Sequence, residues 1–216
     1  MTKFYTFILP AHNEEQSINR ALNSLFAQKL GKEIGLNIYV VCNGCTDNTA
    51  KVAKLTADNL TREKMKGKFT NINVSIKIVK KAQKGNALNV GRRKSTSDVV
   101  LYGDADCLFK KDAVYKIIKE LENNKGLAVV GALDLPHPNF IKKRSLLTDF
   151  QKIMMAQRLI RGRVLTVGRL IGFRQSVVTE SFPDDIHSED IWLSLTAAKK
   201  CGFSSVKVLL NALVYY

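Results

Sequence analysis

The stretch Val99-Val100-Leu101-Tyr102-Gly103-Asp104-Ala105-Asp106 decides how this chain is read. Its first half is a short apolar run, the pattern of a strand buried on both faces. It ends abruptly in two aspartates separated by one residue. In open α/β sheets, ligands bind just beyond the C-terminal ends of the strands. Side chains at i and i+2 of an extended segment point the same way, so Asp104 and Asp106 are expected to share one target. Two hard oxygen donors, with no histidine or thiolate required, suit Mn²⁺ or Mg²⁺ held jointly with a substrate's phosphates. The simpler alternative is that the pair caps the next helix, as aspartate commonly does.

Outward from that strand, strands and helices alternate. Phe4–Leu9, Leu36–Val41 and Val74–Val79 read as earlier strands, and Leu127–Leu133 as a later one. Asn13 is expected to cap a first helix, with Glu14 and Glu15 in its first turn, where the helix dipole favours acids. Ile18, Leu22, Leu25 and Phe26 then recur at helical spacing. Further helices are expected from Thr46 or Asp47 to about Leu60, over Gly85–Lys94 and over Ala113–Glu122. Beyond Pro136 the pattern loosens into a turn, a basic helix near Ser145–Arg161 and an irregular Gly168–Phe173. A helix at about Glu189–Lys200 and a strand over Val206–Val214 close the chain. Repeated βαβ units predict a mainly parallel sheet with helices on both faces, in one α/β domain.

Composition sets the class. The 216 residues are 45% hydrophobic and 25% charged, which excludes a disordered or fibrous chain. No uncharged apolar run approaches the roughly 18 residues of a membrane span, and the N-terminus carries no signal-peptide pattern. Four cysteines without an export signal point to free thiols in a reducing cytosol. Cys42 and Cys45 have the spacing of half a zinc site, but no second pair completes it.

The net charge of +15 is clustered. Residues 51–94 hold thirteen basic and two acidic side chains, hence +11; residues 140–175 hold nine and one, hence +8. Residues 176–190 hold five acids and no Lys or Arg. Such fields attract polyanions, anionic lipid or phosphorylated substrates.

Four pieces now stand in order: Phe7-Ile8-Leu9-Pro10-Ala11-His12-Asn13-Glu14-Glu15, Val40-Val41-Cys42-Asn43-Gly44-Cys45-Thr46-Asp47, Lys84-Gly85-Asn86-Ala87-Leu88-Asn89 and Asp104-Ala105-Asp106. With Ser188-Glu189-Asp190 as a fifth, they resemble the successive motifs of family 2 inverting nucleotide-sugar glycosyltransferases. The resemblance runs over roughly residues 4–200 and implies a single GT-A domain over 1–216. Residues 1–106 would then form a nucleotide-sugar donor half and 107–216 an acceptor half.

The resemblance also implies roles. Pro10, Ala11, His12 and Glu14 would line the nucleotide pocket, with Glu14 bonding to ribose or base unless it only serves the helix start. Asp104 would touch ribose or metal, and Asp106 would ligate a Mn²⁺ or Mg²⁺ ion at the diphosphate. Lys84 would add a point charge near the phosphates, although it is one of four lysines within Lys77–Lys84 and solvated surface is the plainer reading. Asp190 is the candidate general base for the acceptor hydroxyl, with Glu189 as the alternative; helix-dipole compensation competes for both. The family usually offers aspartates where this chain has Cys42 and Asn43. Asn43 still donates and accepts, so it keeps the ability to read a nucleobase edge.

The acceptor is expected to be a glycan or a lipid-linked molecule. In 140–164, Leu146, Leu147, Phe150, Ile153, Met154 and Ile160 alternate with seven basic residues. A basic amphipathic helix of this kind suits peripheral contact with an anionic membrane, at the cytoplasmic face, or else packs within the domain. Longer relatives carry C-terminal acceptor modules or anchors, which are expected to lie outside this sequence. A nucleotidyltransferase reading lacks its glycine-rich loop, and no dinucleotide or P-loop motif occurs. A nucleic-acid binder explains the charge but leaves the four acids unused. A catalytically degenerate GT-A protein, or a basic polyanion-binding one, is the remaining alternative.

Overall fold

In the computed structural model, which describes residues 1–67, 71–137, 166 and 168–216, the apolar runs form strands slightly longer than their apolar cores. In chain order the elements are β1 (Lys3–Ala11), α1 (Ile18–Phe26), β2 (Ile34–Asn43), α2 (Thr49–Met65), β3 (Ile72–Val79), α3 (Lys84–Arg92) and β4 (Val99–Gly103). Then come β5 (Leu108–Phe109), α4 (Ala113–Asn123), β6 (Val129–Leu135), β7 (Leu170–Arg174), α5 (Glu189–Cys201) and β8 (Val206–Tyr215). One eight-stranded sheet runs in the order β3-β2-β1-β4-β7-β6-β8-β5.

The period-2 alternation of the strands divides the core into two layers. Phe7 and Leu9 of β1 and Leu101 of β4 face the cluster built with α1, α2 and α4. Ile8, Val100 and Tyr102 face the other cluster, built with α3 and α5. In α1, Ile18, Leu22, Leu25 and Phe26 are all buried, as their spacing predicts. Each such side chain contributes roughly 1.5–3 kcal/mol on burial. The α/β architecture with helices on both faces is therefore the expected one. No described helix is long and apolar enough to cross a membrane.

Three local expectations are corrected. Asn13 does not cap α1: it adopts φ +56°, its side chain is taken by another loop, and Ser17 precedes the helix. The stretch Gly168–Phe173 is not irregular. Its residues 170–174 form β7, which pairs antiparallel with both β4 and β6 and so interrupts the parallel order. Five residues buried throughout and broken by Gly172 leave no alternation for a sequence reading to detect. The two-residue β5 was also not anticipated. The basic helix of 145–161, and with it the membrane-contact segment 140–164, lies outside the described residues.

Candidate active site

Three loops leave the C-terminal ends of β1, β2 and β4 and meet. The first two are laced together by side chain–backbone hydrogen bonds. Asn13 Oδ1 accepts from the Thr46 N–H at 2.8 Å, and Glu15 Oε2 accepts from the Asn48 N–H at 2.9 Å. In the other direction, the Glu14 N–H donates to Thr49 Oγ1 at 2.6 Å and the Glu15 N–H to Asp47 Oδ2 at 3.1 Å. The left-handed backbone at Asn13 is one that asparagine tolerates better than most residues. Gly44 also has positive φ, +57°, and a Cβ there would sit 2.7 Å from Ala82 Cα, so the turn needs glycine.

Between the loops lies a cleft of about 230 Å³ lined by Pro10, His12, Glu14, Asn43, Lys84, Asp104, Ala105 and Asp106. The expected donor residues are thus brought together, with one exception. Ala11 belongs to the buried cluster under the sheet, and its carbonyl accepts the Cys45 thiol at 3.3 Å. His12 is exposed, and its Nδ1 donates to the Asn43 carbonyl at 2.7 Å. Glu14 accepts the Ser17 hydroxyl. Asn43 is 4% exposed, yet its Oδ1 meets no hydrogen-bond partner among the described residues. Buried polar atoms are normally paired; this one is unpaired and shielded from solvent, within a residue that helps to form the cleft wall. Cys42 beside it is buried; burial, then the neighbouring Cys45 and Asp47, push its thiol up to about 12.

Asp104 and Asp106 cap no helix, because α4 begins only at Ala113 after Asp112. They are also not on an extended segment: the Cys107 N–H donates to the Asp104 carbonyl at 3.3 Å, closing a turn. Asp104, Asp106 and Cys107 each place one ligand atom within 4.8 Å of the others, the one such group among the described residues. Two carboxylate oxygens at a cleft fit a hard divalent cation. The Cys107 thiol donates to Asp106 Oδ1 at 3.2 Å.

Each aspartate has a basic partner. Lys84, the first residue of α3, donates to Asp104 Oδ1 at 2.7 Å and is ion-paired with Glu189. Burial pulls the ammonium's pKa down, but the two carboxylates outweigh it and hold Lys84 above its ordinary value. Burial lifts the Asp104 carboxyl, against the pull of Lys84. At Asp106 burial also pushes upward, but the Cys107 hydrogen bond and Arg169 hold the carboxyl below its ordinary value. Arg169 Nη1 lies 2.7 Å from Asp106 Oδ2.

Glu189 and Asp190 open α5, as expected. Glu189 is buried; Asp190 is half-buried and accepts the Gly168 N–H at 3.2 Å and the Ile191 N–H at 2.8 Å. Burial, and then the carboxylates of Glu189, Asp190, Asp104 and Asp134, hold the Tyr102 phenol far above its ordinary value. Glu189 thus reaches the cleft through Lys84, and neither acid lines it. The sequence reading missed Arg169 because an antiparallel strand brings its N-terminal end beside the C-terminal end of β4. Only the pairing direction places Arg169 there: Leu170 faces Gly103.

Comparison with known proteins agrees with this geometry. The chain is 27% identical over 200 residues to poly-beta-1,6-N-acetyl-D-glucosamine synthase of Staphylococcus aureus strain COL, covering 88% of this chain and 44% of the relative. The Staphylococcus epidermidis protein of the same name is 24% identical over the same shares. The chain therefore spans less than half the length of these curated relatives. Among solved structures, the mannosyltransferase PcManGT from Pyrobaculum calidifontis, in complex with GDP-Man and Mn²⁺, superposes with TM-score 0.71 at 18% identity, over 98% of this chain and 56% of that one. TarS 1–349 from S. aureus, in complex with UDP-GlcNAc, gives 0.65 at 19% identity, over 100% and 58%. Residues 6–182, which hold all three cleft loops, match the profile of glycosyl transferase family 2, and the chain belongs to that family.

Proposed function

We propose that the chain binds a nucleotide-diphospho-sugar in the cleft and transfers the sugar to an acceptor hydroxyl with inversion. The observation that carries this reading is the cleft itself, with Asn43 at one part of its lining and the Asp104–Asp106 pair at another. Asn43 reads the edge of the nucleobase, and His12 and Glu14 flank base and ribose. Asp104 and Asp106 would hold Mn²⁺ or Mg²⁺, which would supply a positive charge to offset the negative charge that builds on the departing nucleoside diphosphate. Lys84 supports the same charge from the other side of Asp104.

Asp190 serves as general base. Glu189 is buried against Lys84, which leaves Asp190 the freer carboxylate. The acceptor oxygen attacks the anomeric carbon on the face opposite the diphosphate, its proton passes to the Asp190 carboxylate, and the bond to the diphosphate oxygen breaks. The names of the relatives support a glycan acceptor; a lipid-linked acceptor, and cell-surface glycan synthesis at the cytoplasmic face of the membrane, belong to the same proposal.

The test is thermal stability against UDP, GDP, TDP, CDP and ADP, each with and without Mn²⁺. A ligand at 100 times its Kd stabilises by about 2.7 kcal/mol, which shifts the melting point visibly. One nucleotide should give a Mn²⁺-dependent shift that Asp106→Ala removes. No shift with any of the five would replace this reading with a degenerate or polyanion-binding protein.

A further inference from the structure

Arg169 stands where the cation of the proposed function would bind, and its surroundings show how it is held there. Its backbone is fixed from two sides. The Arg169 N–H donates to Asp134 Oδ1 at 3.1 Å, and its carbonyl accepts the Asp104 N–H at 3.0 Å. The preceding Gly168 N–H donates to Asp190. The side chain extends from this anchored base at 29% exposure, with its guanidinium carbon 4.5 Å from the centre of the Tyr216 ring. From that perch Nη1 reaches Asp106 Oδ2 at 2.7 Å and Cys107 Sγ at 3.7 Å.

The charges at the cleft then sum unusually. Among the ion-paired groups, Asp104, Asp106 and Glu189 give −3 and Lys84 and Arg169 give +2, leaving −1, to which Glu14 in the lining adds a further −1. A divalent cation entering such a site meets carboxylates that are already partnered, and a guanidinium and a divalent cation repel each other at one carboxylate. We propose that Arg169 is a positioning residue that acts as a resident counter-cation for Asp106. It keeps the affinity of the empty cleft for Mn²⁺ or Mg²⁺ low. When a nucleoside diphosphate enters, its oxygens draw the guanidinium off Asp106 and free that carboxylate for the ion. Metal and nucleotide binding are therefore positively coupled, and by linkage each raises the affinity for the other by the same factor. This rests on the metal and nucleotide reading of the cleft given above.

The experiment is calorimetric titration of the full chain with Mn²⁺, alone and with the nucleoside diphosphate that gives the largest thermal shift. Wild type, Arg169→Gln, Arg169→Lys and Tyr216→Leu are compared. Removing a charge-assisted contact at a half-exposed carboxylate is expected to tighten Mn²⁺ binding to nucleotide-free Arg169→Gln by about tenfold. The gain in Mn²⁺ affinity on adding nucleotide should shrink by a similar factor. Arg169→Lys, which keeps the charge and loses the fork, should fall between the two. Tyr216→Leu removes the ring against which the guanidinium lies, so it should shift binding the same way by about two- to threefold, and it covers the case in which Arg169→Gln does not fold. Equal Mn²⁺ affinity in wild type and these variants, with nucleotide-dependent metal binding intact, would overturn the role of Arg169 alone. Absence of Mn²⁺ binding to wild type with every nucleotide would overturn the metal reading and this inference together.

Discussion

The two sides of the sheet are wired differently. On one, β3, β2, β1 and β4 pair in parallel throughout, joined by helical crossovers. On the other, β7 runs antiparallel to both its neighbours, β6 and β8 are parallel, and β5 is antiparallel again. The parallel side builds a cradle whose first two loops are bonded to each other. The mixed side contributes few walls to that cradle but sends charges across to it: Glu189 to Lys84, Arg169 to Asp106 and Asp184 to Lys81. Under the proposed function this wiring corresponds to a division between holding a donor and acting on it, and substitutions can test whether the two separate.

The sharpest break is Asp190→Asn. Loss of a positioned general base costs roughly 10²–10⁴-fold, so transfer should fall by that factor, measured as nucleoside diphosphate released with an acceptor. The nucleotide-induced melting shift should stay as in wild type. A variant that loses both to the same degree would show that the two sides do not separate.

Lys84→Met tests the seam. It leaves Asp104 and Glu189 facing each other without their shared cation. Stranding buried charges is strongly destabilising, and partial exposure of these groups reduces the effect to about 1–2 kcal/mol. For a chain of this size that is a melting point lower by about 2–8 °C. Adding Glu189→Gln to Lys84→Met should recover part of the loss, and calorimetry of the four proteins of this cycle gives the coupling directly. Additive losses would show that the seam is not coupled.

The smallest effect belongs to Asp98, which ties the mixed side to the start of β4. It accepts the Ser176 N–H at 2.8 Å and lies 3.1 Å from Arg174. Burial pushes its carboxyl up, but Ser176 and then Arg174 prevail and hold it below its ordinary value of 3.8. A depressed carboxylate stabilises the fold above its unfolded pKa and loses that contribution as pH falls through the folded value. Wild-type stability should therefore decline below about pH 4, and Asp98→Asn should flatten that decline. Denaturant melts across pH 3–7 decide it; superimposable acid limbs would remove Asp98 from the account.

The same division governs what the sequence made legible. Phe4–Leu9, Leu36–Val41 and Val99–Tyr102 announce themselves because a strand buried between helices reads as an unbroken apolar run. The loop residues after them stand together because parallel strands put all their C-terminal ends at one edge. That rule gathered Pro10, His12, Glu14, Asn43 and Asp104 without any knowledge of contacts. It does not say which way a side chain turns at a strand's last residue, so Ala11 was grouped with the cleft although it faces the core. Nor does any local pattern announce β7, whose neighbours β4 and β6 are distant in sequence. Arg169 was invisible for the same reason, and Asn13 was misread because its partner, Thr46, lies 33 residues away.

The ends of the sheet bear on how this chain behaves at high concentration. An open strand edge offers its unpaired N–H and C=O groups to any other strand, and sheets that remain dispersed blunt their edges. Here one edge is β5, only two residues long, too short to template another strand. The other is β3, eight residues with Ile78 68% exposed, which would invite stacking if it were neutral. Lys77 within it and Lys80 directly after it give two approaching copies the same charge. Part of the +15 thus acts as a mutual repulsion between molecules at the longer of the two edges among the described strands.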